Sequence, residues 1–425
     1  MRVICGPDPH PLDPSDGVAF SLFEKPRRQG VGRVAATMPQ RLRREGVNPS
    51  RRAWDFLAIA LSAAAADRGC LRKTSPDGWT REIELEIAVT DPQFWDAQNA
   101  TVTGALRFLT GDIWKLTFAP GGVRPPRRQI SSGRRLRGES ICLLSGGADS
   151  LTGAIDAVAL GKCPLFVSQI SRGDADRQRK FAKIVGEELS HLQLSQPITT
   201  PLKAERSQRA RSLVFIAYGV LGASVLPKYK RGEEVDLLIP ENGFVSLNAP
   251  LTPLRVGSLS TRTTHPFFIE KIQAILDAVG IHTQLQNPYQ FKTKGEVFLD
   301  CSDQSLLRQL VFESNSCARF ARFTYLHCGR CVPCLVRRAA FLRWGQVDET
   351  GYRYEDLSLA DDQHRDFDDV RSVAYATFQV ARLGIEAWAG DALNYMQLGD
   401  IAPYADLAKR GIDELGAFLD GAGVT

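Results

Sequence analysis

The chain has 425 residues but no uninterrupted apolar run of the ~18 residues that a membrane span needs, so no transmembrane helix is expected. Residues Met1 to Pro7 include no long apolar stretch either, so no secretory leader is expected and a cytoplasmic location is. An excess of charge of one sign is lacking. A net +5 is too weak on this length to imply nucleic acid by itself. The basic residues that do gather are Arg124, Arg127, Arg128, Arg134, Arg135 and Arg137, accompanied by Pro125 and Pro126 and by no aromatic residue. A platform for stacking single-stranded bases is therefore missing, and residues 124–137 read as an exposed linker. Internal repeats are absent. Nine cysteines, an odd number in a chain without an export signal, favour metal ligation over disulfides.

Apolar and charged residues are present in ordinary globular proportion, and the length points to two or three domains. We divide the chain into residues 1–123, the linker 124–137, residues 138–345 and residues 346–425. In the first part, 54–67 reads as a helix and 81–89 as a half-buried strand, with Ile83, Leu85 and Ile87 alternating against Glu82, Glu84 and Glu86. A second helix is expected over 94–109 and a second strand over 113–118. No catalytic constellation occurs there, so binding or scaffolding is the default role. In the second part, apolar strands at 141–144, 164–168, 235–240 and 281–286 alternate with helical stretches at 175–192, 209–226 and 266–279. That alternation predicts an α/β fold, a parallel sheet with helices on both faces. The last part reads as helical over 366–385 and 402–419. The acids Asp361, Asp362, Asp366, Asp368 and Asp369 read as charge at a helix start rather than a metal site.

Ser145-Gly146-Gly147-Ala148-Asp149-Ser150 follows the apolar run 141–144 and precedes a helical pattern. Glycines let a backbone approach closely, and a helix N-terminus presents free N–H groups to an anion. The two hydroxyls add donors, while Asp149 suits a site in which Mg²⁺ or an ordered backbone intervenes. The plain alternative is a glycine-rich turn capping an ordinary helix. The pattern resembles the PP-loop of ATP pyrophosphatases, which cleave ATP to AMP and pyrophosphate.

Cys317, Cys328, Cys331 and Cys334 form the second strong signal. Four thiolates can enclose one tetrahedral Zn²⁺ and leave no open position, which makes the role structural. Spacing alone also admits an iron–sulfur cluster.

The two motifs together resemble QueC, the 7-cyano-7-deazaguanine synthase family, over residues 138–345. The shared segments are Glu313-Ser314-Asn315-Ser316-Cys317, the Cys-Gly-Arg-Cys-Val-Pro-Cys run 328–334, Leu335-Val336-Arg337-Arg338 and Lys292-Thr293-Lys294-Gly295-Glu296. The flanking parts and the segments 241–243 and 260–266 depart from that family. The longer form looks like the QueC-like proteins of anti-phage defence operons, the QatC branch in particular. The resemblance implies an adenine-nucleotide α-hydrolase-like fold and the cofactors ATP, Mg²⁺ and Zn²⁺. It also implies adenylation of a 7-deazaguanine carboxylate and its coupling to an amine, either ammonia or an amine of a partner protein from the same operon. On this reading Ser145, Gly146, Gly147 and Ser150 cradle pyrophosphate and Asp149 orders the loop or Mg²⁺. Lys294 and Arg211 steady the phosphates, His265 accepts a proton, and Glu241 and Asn242 read the substrate base. Each of these also has a plainer reading: surface charge for the two basic residues, structure for His265, a strand-ending turn for Glu241 and Asn242. A nucleotide-binding scaffold without turnover is the alternative from another class, and tRNA-acting relatives would favour a stronger basic face.

Overall fold

The computed structural model describes residues 1–8, 17–127, 136–171, 173–252, 262–357, 369–394 and 401–424. Two sheets of mostly parallel strands, flanked by helices, occupy the first 286 residues, and residues 369–424 are helical. Arg128, Arg134, Arg135 and the acids at 361, 362, 366 and 368 lie outside the described residues.

The first sheet contains β1 (Arg2–Gly6), β2 (Val18–Leu22), β3 (Gly32–Val34), β4 (Glu82–Ala88) and β5 (Ile113–Ala119), in the order β5-β4-β1-β2-β3. All these neighbours pair in parallel. Ile83, Leu85 and Ile87 of β4 are buried together with Trp114, Leu116 and Phe118 of β5, as alternation requires of a sheet with one covered face. The second sheet contains β6 (Ser140–Leu143), β7 (Pro164–Gln169), β8 (His191–Leu194), β10 (Val235–Leu238) and β11 (Thr283–Gln286), all parallel, in the order β11-β10-β6-β7-β8. The two-residue strand β9 (Ile198–Thr199) leaves this unit and closes the first sheet antiparallel to β3.

The two units share one core. Helix Arg51–Gly69 is buried on nearly every side, as befits a helix between two layers. One side packs on β4 and the other on helix Arg211–Ala223. Its alanine run, Ala63 to Ala66, lets backbones approach closely. Helix Arg211–Ala223 in turn covers Ile141, Leu143, Val167 and Leu237 of the second sheet. The opposite face of that sheet, with Cys142, Leu144, Phe166 and Leu238, packs on helices Ala148–Ala159 and Ala175–Val185 and on Phe341 and Trp344.

A buried charge network fixes the joint. Arg81 is fully buried, with its Nη2 2.6 Å from both Asp67 Oδ1 and Asp112 Oδ2. Arg72 Nη1 lies 2.9 Å from Asp112. The other oxygen of Asp67 accepts the backbone N–H of Ala210 at 2.8 Å, directly before helix Arg211–Ala223. Asp112→Ala strands two buried guanidinium groups and is expected to cost about 3–5 kcal/mol. Urea denaturation monitored by circular dichroism measures it.

Local pattern misled at two places. The helix expected over 175–192 ends at Val185, and His191–Leu194 is strand β8. Pairing with β7 and burial of Leu192 and Leu194 override the local helical periodicity. The helix expected over 94–109 is split into Pro92–Asp96 and Asn99–Thr110. Strands β1 to β3, only three to five residues each, carry too little periodicity to be read beforehand.

Candidate functional site

Strand order in the second sheet runs outward from β6 to β7 and β8, then returns to β10 and β11 on the other side. Order therefore reverses between β6 and β10, and open α/β sheets bind ligands in the crevice beyond the carboxyl ends of such strands. The glycine-rich loop leaves β6 at that crevice, and Pro240, Glu241 and Asn242 leave β10 beside it. A cavity of about 230 Å³ lies there, lined by Ser145, Gly147, Ala148, Asp149, Ser150, Pro240, Glu241, Asn242, Val245, Lys294, Asn315, Ser316, Pro333 and Val336.

Gly146 has φ +92°, a conformation that a side chain would strain. Ser145 Oγ accepts the Gly147 N–H at 3.2 Å and lies 2.9 Å from Ser150 Oγ, whose own hydroxyl donates to Gly147 O at 3.0 Å. The serines thus hold the turn. Helix Ala148–Ala159 follows, and its first intrahelical donor is Leu151 N, bonded to Gly147 O. The amides of residues 148–150 precede that donor and lie at the positive end of the helix dipole. They are the backbone donors that the turn offers toward the cavity.

Asp149 is buried, with Lys294 Nζ 2.5 Å from its Oδ1 and Asn242 Nδ2 donating to its Oδ2 at 2.9 Å. Burial by itself would raise the carboxyl, but the Lys294 ammonium, with hydrogen bonds from Glu241, Lys294 and Asn242, holds it below the usual aspartate range. Glu241 moves the opposite way. Burial, then the adjacent Asp149 charge, push it well above the glutamate range, so it is the protonated member of the pair. Asn242 keeps its orientation because its Oδ1 caps the next short helix through Val245 N at 3.0 Å.

Lys294 is presented by helix Lys294–Leu299, which opens with a capping box between Thr293 and Glu296. The C-terminal helix Ala402–Gly421 braces this turn. Arg410 pairs with Glu296, and the Glu414 carboxylate accepts the Thr293 hydroxyl. Burial raises Glu414 to about 7, helped by repulsion from Glu296 and opposed by the Thr293 bond and Arg343. A carboxyl raised in the folded state contributes stability below its unfolded pKa, lost as pH rises through the folded value. Between pH 5 and pH 8 the native chain is expected to lose on the order of 2 kcal/mol from this group. Glu414→Gln should flatten the dependence, measured by denaturant midpoints at the two pH values.

The four cysteine sulfurs lie within 4.8 Å of one another, all buried, and could hold one metal ion, zinc among those compatible. Cys317 Sγ is 3.9 Å from Cys331 Sγ, and Cys328 Sγ is 3.8 Å from Cys334 Sγ. A tetrahedron with ~2.3 Å Zn–S bonds has S···S edges of ~3.8 Å. Backbone N–H groups of Arg319 and Cys328 donate to Cys317 Sγ, and that of Cys331 to Cys328 Sγ, each at 3.3 Å. This knuckle forms one wall of the cavity. Asn315 Oδ1 accepts the Cys317 N–H at 3.0 Å, while Asn315 N donates to Gly146 O at 3.0 Å. Arg337, fully buried, donates to Ser314 Oγ at 2.9 Å and Ser316 Oγ at 3.2 Å.

Two expected residues lie elsewhere. His265 does not line the cavity. It caps helix Pro266–Ala278 by accepting the Phe267 N–H at Nδ1 (3.3 Å) and packs edge-on against Phe108 of the first unit. Burial, then Arg262, lower it to about 4. A buried imidazole with its ring nitrogen engaged in a cap and its ring wedged between units is a structural part, so the proton-acceptor role is withdrawn. Arg211 bonds Ser171 Oγ and lines a separate cleft. In contrast, residues not singled out as site residues do meet the loop: Asn315, Ser316 and Gln178, whose Nε2 donates to Ser145 O at 3.0 Å. Asn315 and Ser316 stood in the cysteine motif; nothing in the sequence marks Gln178.

Among the described residues no helix is long and apolar enough to cross a membrane. No protein-family model, no curated protein and no solved structure matches this chain.

Proposed function

We propose that the chain is an ATP-dependent, AMP-forming carbon–nitrogen ligase of the QueC-like kind. It adenylates a 7-deazaguanine carboxylate and passes the acyl group to an amine on a partner protein, in anti-phage defence. One observation carries this reading: Asp149, Lys294, Glu241 and Asn242 converge on the glycine-rich turn in one cavity, at the point where strand order reverses. Its volume is below the ~300 Å³ at which whole-ligand pockets begin, so it suits a pyrophosphate group rather than an entire nucleotide.

The chemistry follows from what these residues offer. A carboxylate is a poor electrophile, so its oxygen attacks the α-phosphorus of ATP and the bond to the bridging oxygen breaks. Pyrophosphate leaves with the bonding pair. The amides of residues 148–150 and the Lys294 ammonium face the charge that gathers on that leaving group. Asp149 keeps Lys294 charged and in place. Asp149, the ionised carboxylate of the pair, is the hard oxygen donor that would hold Mg²⁺, and the ion would supply further neutralisation of the phosphates. The amine then attacks the acyl carbon, the bond from that carbon to the AMP phosphate oxygen breaks with its electron pair on oxygen, and the proton the amine loses passes to solvent. The sulfur set at 317, 328, 331 and 334 suits a structural Zn²⁺ that shapes the cavity wall.

The test is incubation with ATP, Mg²⁺ and 7-carboxy-7-deazaguanine, with ammonium or with a protein encoded beside it. AMP and pyrophosphate together with a partner mass gain are expected. Free nitrile without mass gain would move the assignment to a free 7-cyano-7-deazaguanine synthase. Absence of AMP under every condition would leave only a nucleotide-binding scaffold.

A further inference from the structure

A second cleft, of about 440 Å³, opens between the two sheets. Its polar lining is Arg68, Arg211, Ser171, Ser195, Gln196 and Gln208. Arg68 comes from the buried helix of the first unit. Ser171 and Ser195 follow the carboxyl ends of β7 and β8. The wall between them is apolar, with Ile170, Pro197 and Ile198.

Charge sets this cleft apart from the loop cavity. Among the described residues no carboxylate lines it, and neither Arg68 nor Arg211 forms an ion pair. Arg68 Nε is buried with no hydrogen-bond partner among the described residues. Among the described residues the Arg211 guanidinium bonds the Ser171 hydroxyl. Elsewhere at this joint Arg72 and Arg81 are both matched by Asp67 and Asp112. A half-buried guanidinium left unmatched costs free energy that a bound anion would return. The spacing of the two arginines is fixed rather than incidental. Asp67, the neighbour of Arg68, accepts the N–H of Ala210, the neighbour of Arg211. Gln178 ties the two sites, donating to Ser145 O at 3.0 Å and to Gln169 O at 3.1 Å.

We propose that this cleft binds a small organic anion, a carboxylate or a phosphate ester, with Arg68 as its principal contact and Arg211 at its mouth. The cleft is large enough for a bicyclic ring, and its apolar wall gives such a ring a surface. This inference does not depend on adenylation at the loop.

The test is calorimetric titration of the full chain in an Asp149→Asn background, which separates it from turnover. The probes are AMP, indole-3-carboxylate and the neutral indole-3-carboxamide. One of the two anions is expected to bind and the carboxamide not to. AMP binding assigns the phosphate source and indole-3-carboxylate the carboxylate. Arg68→Ala should weaken that anion about tenfold or more, the worth of a charge-assisted hydrogen bond pair. Arg68→Lys, which keeps the charge and the fold, should lose less, and Arg211→Ala should weaken binding too. The proposal is overturned if neither anion binds, if the carboxamide binds as well as the anion, or if both Arg68 variants bind like the parent.

Discussion

Asp149→Asn is expected to lower AMP release about 10²–10³-fold while leaving the chain folded. The substitution conserves shape and can still accept from Asn242. What it removes is the charge that faces Lys294 Nζ at 2.5 Å inside a buried site. Lys294 then sits in a low-dielectric pocket without its counter-ion, and either loses its proton or swings away. Lys294→Met should cause a loss of similar size. Because the two residues act as a unit, the double variant should be little worse than either single one. Product chromatography of AMP, with circular dichroism as the folding control, decides it. Turnover at the parental rate in a folded Asp149→Asn protein would refute the assignment of this loop.

The second large effect concerns metal. Stripping the chain with a chelator, or replacing Cys331 with Ser, is expected to abolish AMP release and to lower the thermal midpoint steeply. Structural four-cysteine zinc sites contribute on the order of 10 kcal/mol to folding. Here the loss reaches the cavity directly. The segment 314–317 hangs on Cys317, and its Asn315 N–H holds Gly146 O, so an unfolded knuckle releases the glycine-rich turn. Hydrogen exchange over 311–337 should rise together with loss of activity. Cys163, exposed and remote from the cluster, provides the control as Cys163→Ser. Elemental analysis should return one zinc per chain; visible absorption would identify iron–sulfur instead. Full activity in a metal-free chain would show that the knuckle plays no part in holding the site.

How far the sequence reached depended on the range of the interaction. The glycine loop was legible because its geometry is local: a strand, a turn that needs φ above zero, and a helix start stand next to one another. The cysteine set was legible because thiolate spacing is chemically restrictive. Lys294 is legible from its resemblance segment, Glu241 and Asn242 from their place just after an apolar strand, and all three line the cavity. Arg211 rests on a helix that resembles the family's and His265 on the near-neutral pKa of a free imidazole, and neither lines the cavity. A basic residue at a helix start and a histidine before proline look alike in sequence whether they face a ligand or a neighbouring helix. Only packing separates the two cases, as with the Phe108 ring against His265. Gln178 went unnoticed because its role is to bridge two backbone carbonyls on neighbouring loops, a function with no sequence signature.

By itself, then, the sequence determined that strands and helices alternate, that a glycine-rich turn and a helix start follow the strand at residues 141–144, and that four thiolates can close on one metal. These are short-range matters of dihedral freedom, periodicity and ligand chemistry. The tertiary structure decided the rest. It sent β9 out of one unit to close the sheet of the other and ran β8 through a stretch with helical periodicity. It also put Asp67, Arg81 and Asp112 at the joint and carried Arg68 from the first unit to a cleft of the second. The reason is physical. Strand pairing, burial of charge and the shape of a cleft are fixed by residues far apart along the chain, and only the shared core brings them together.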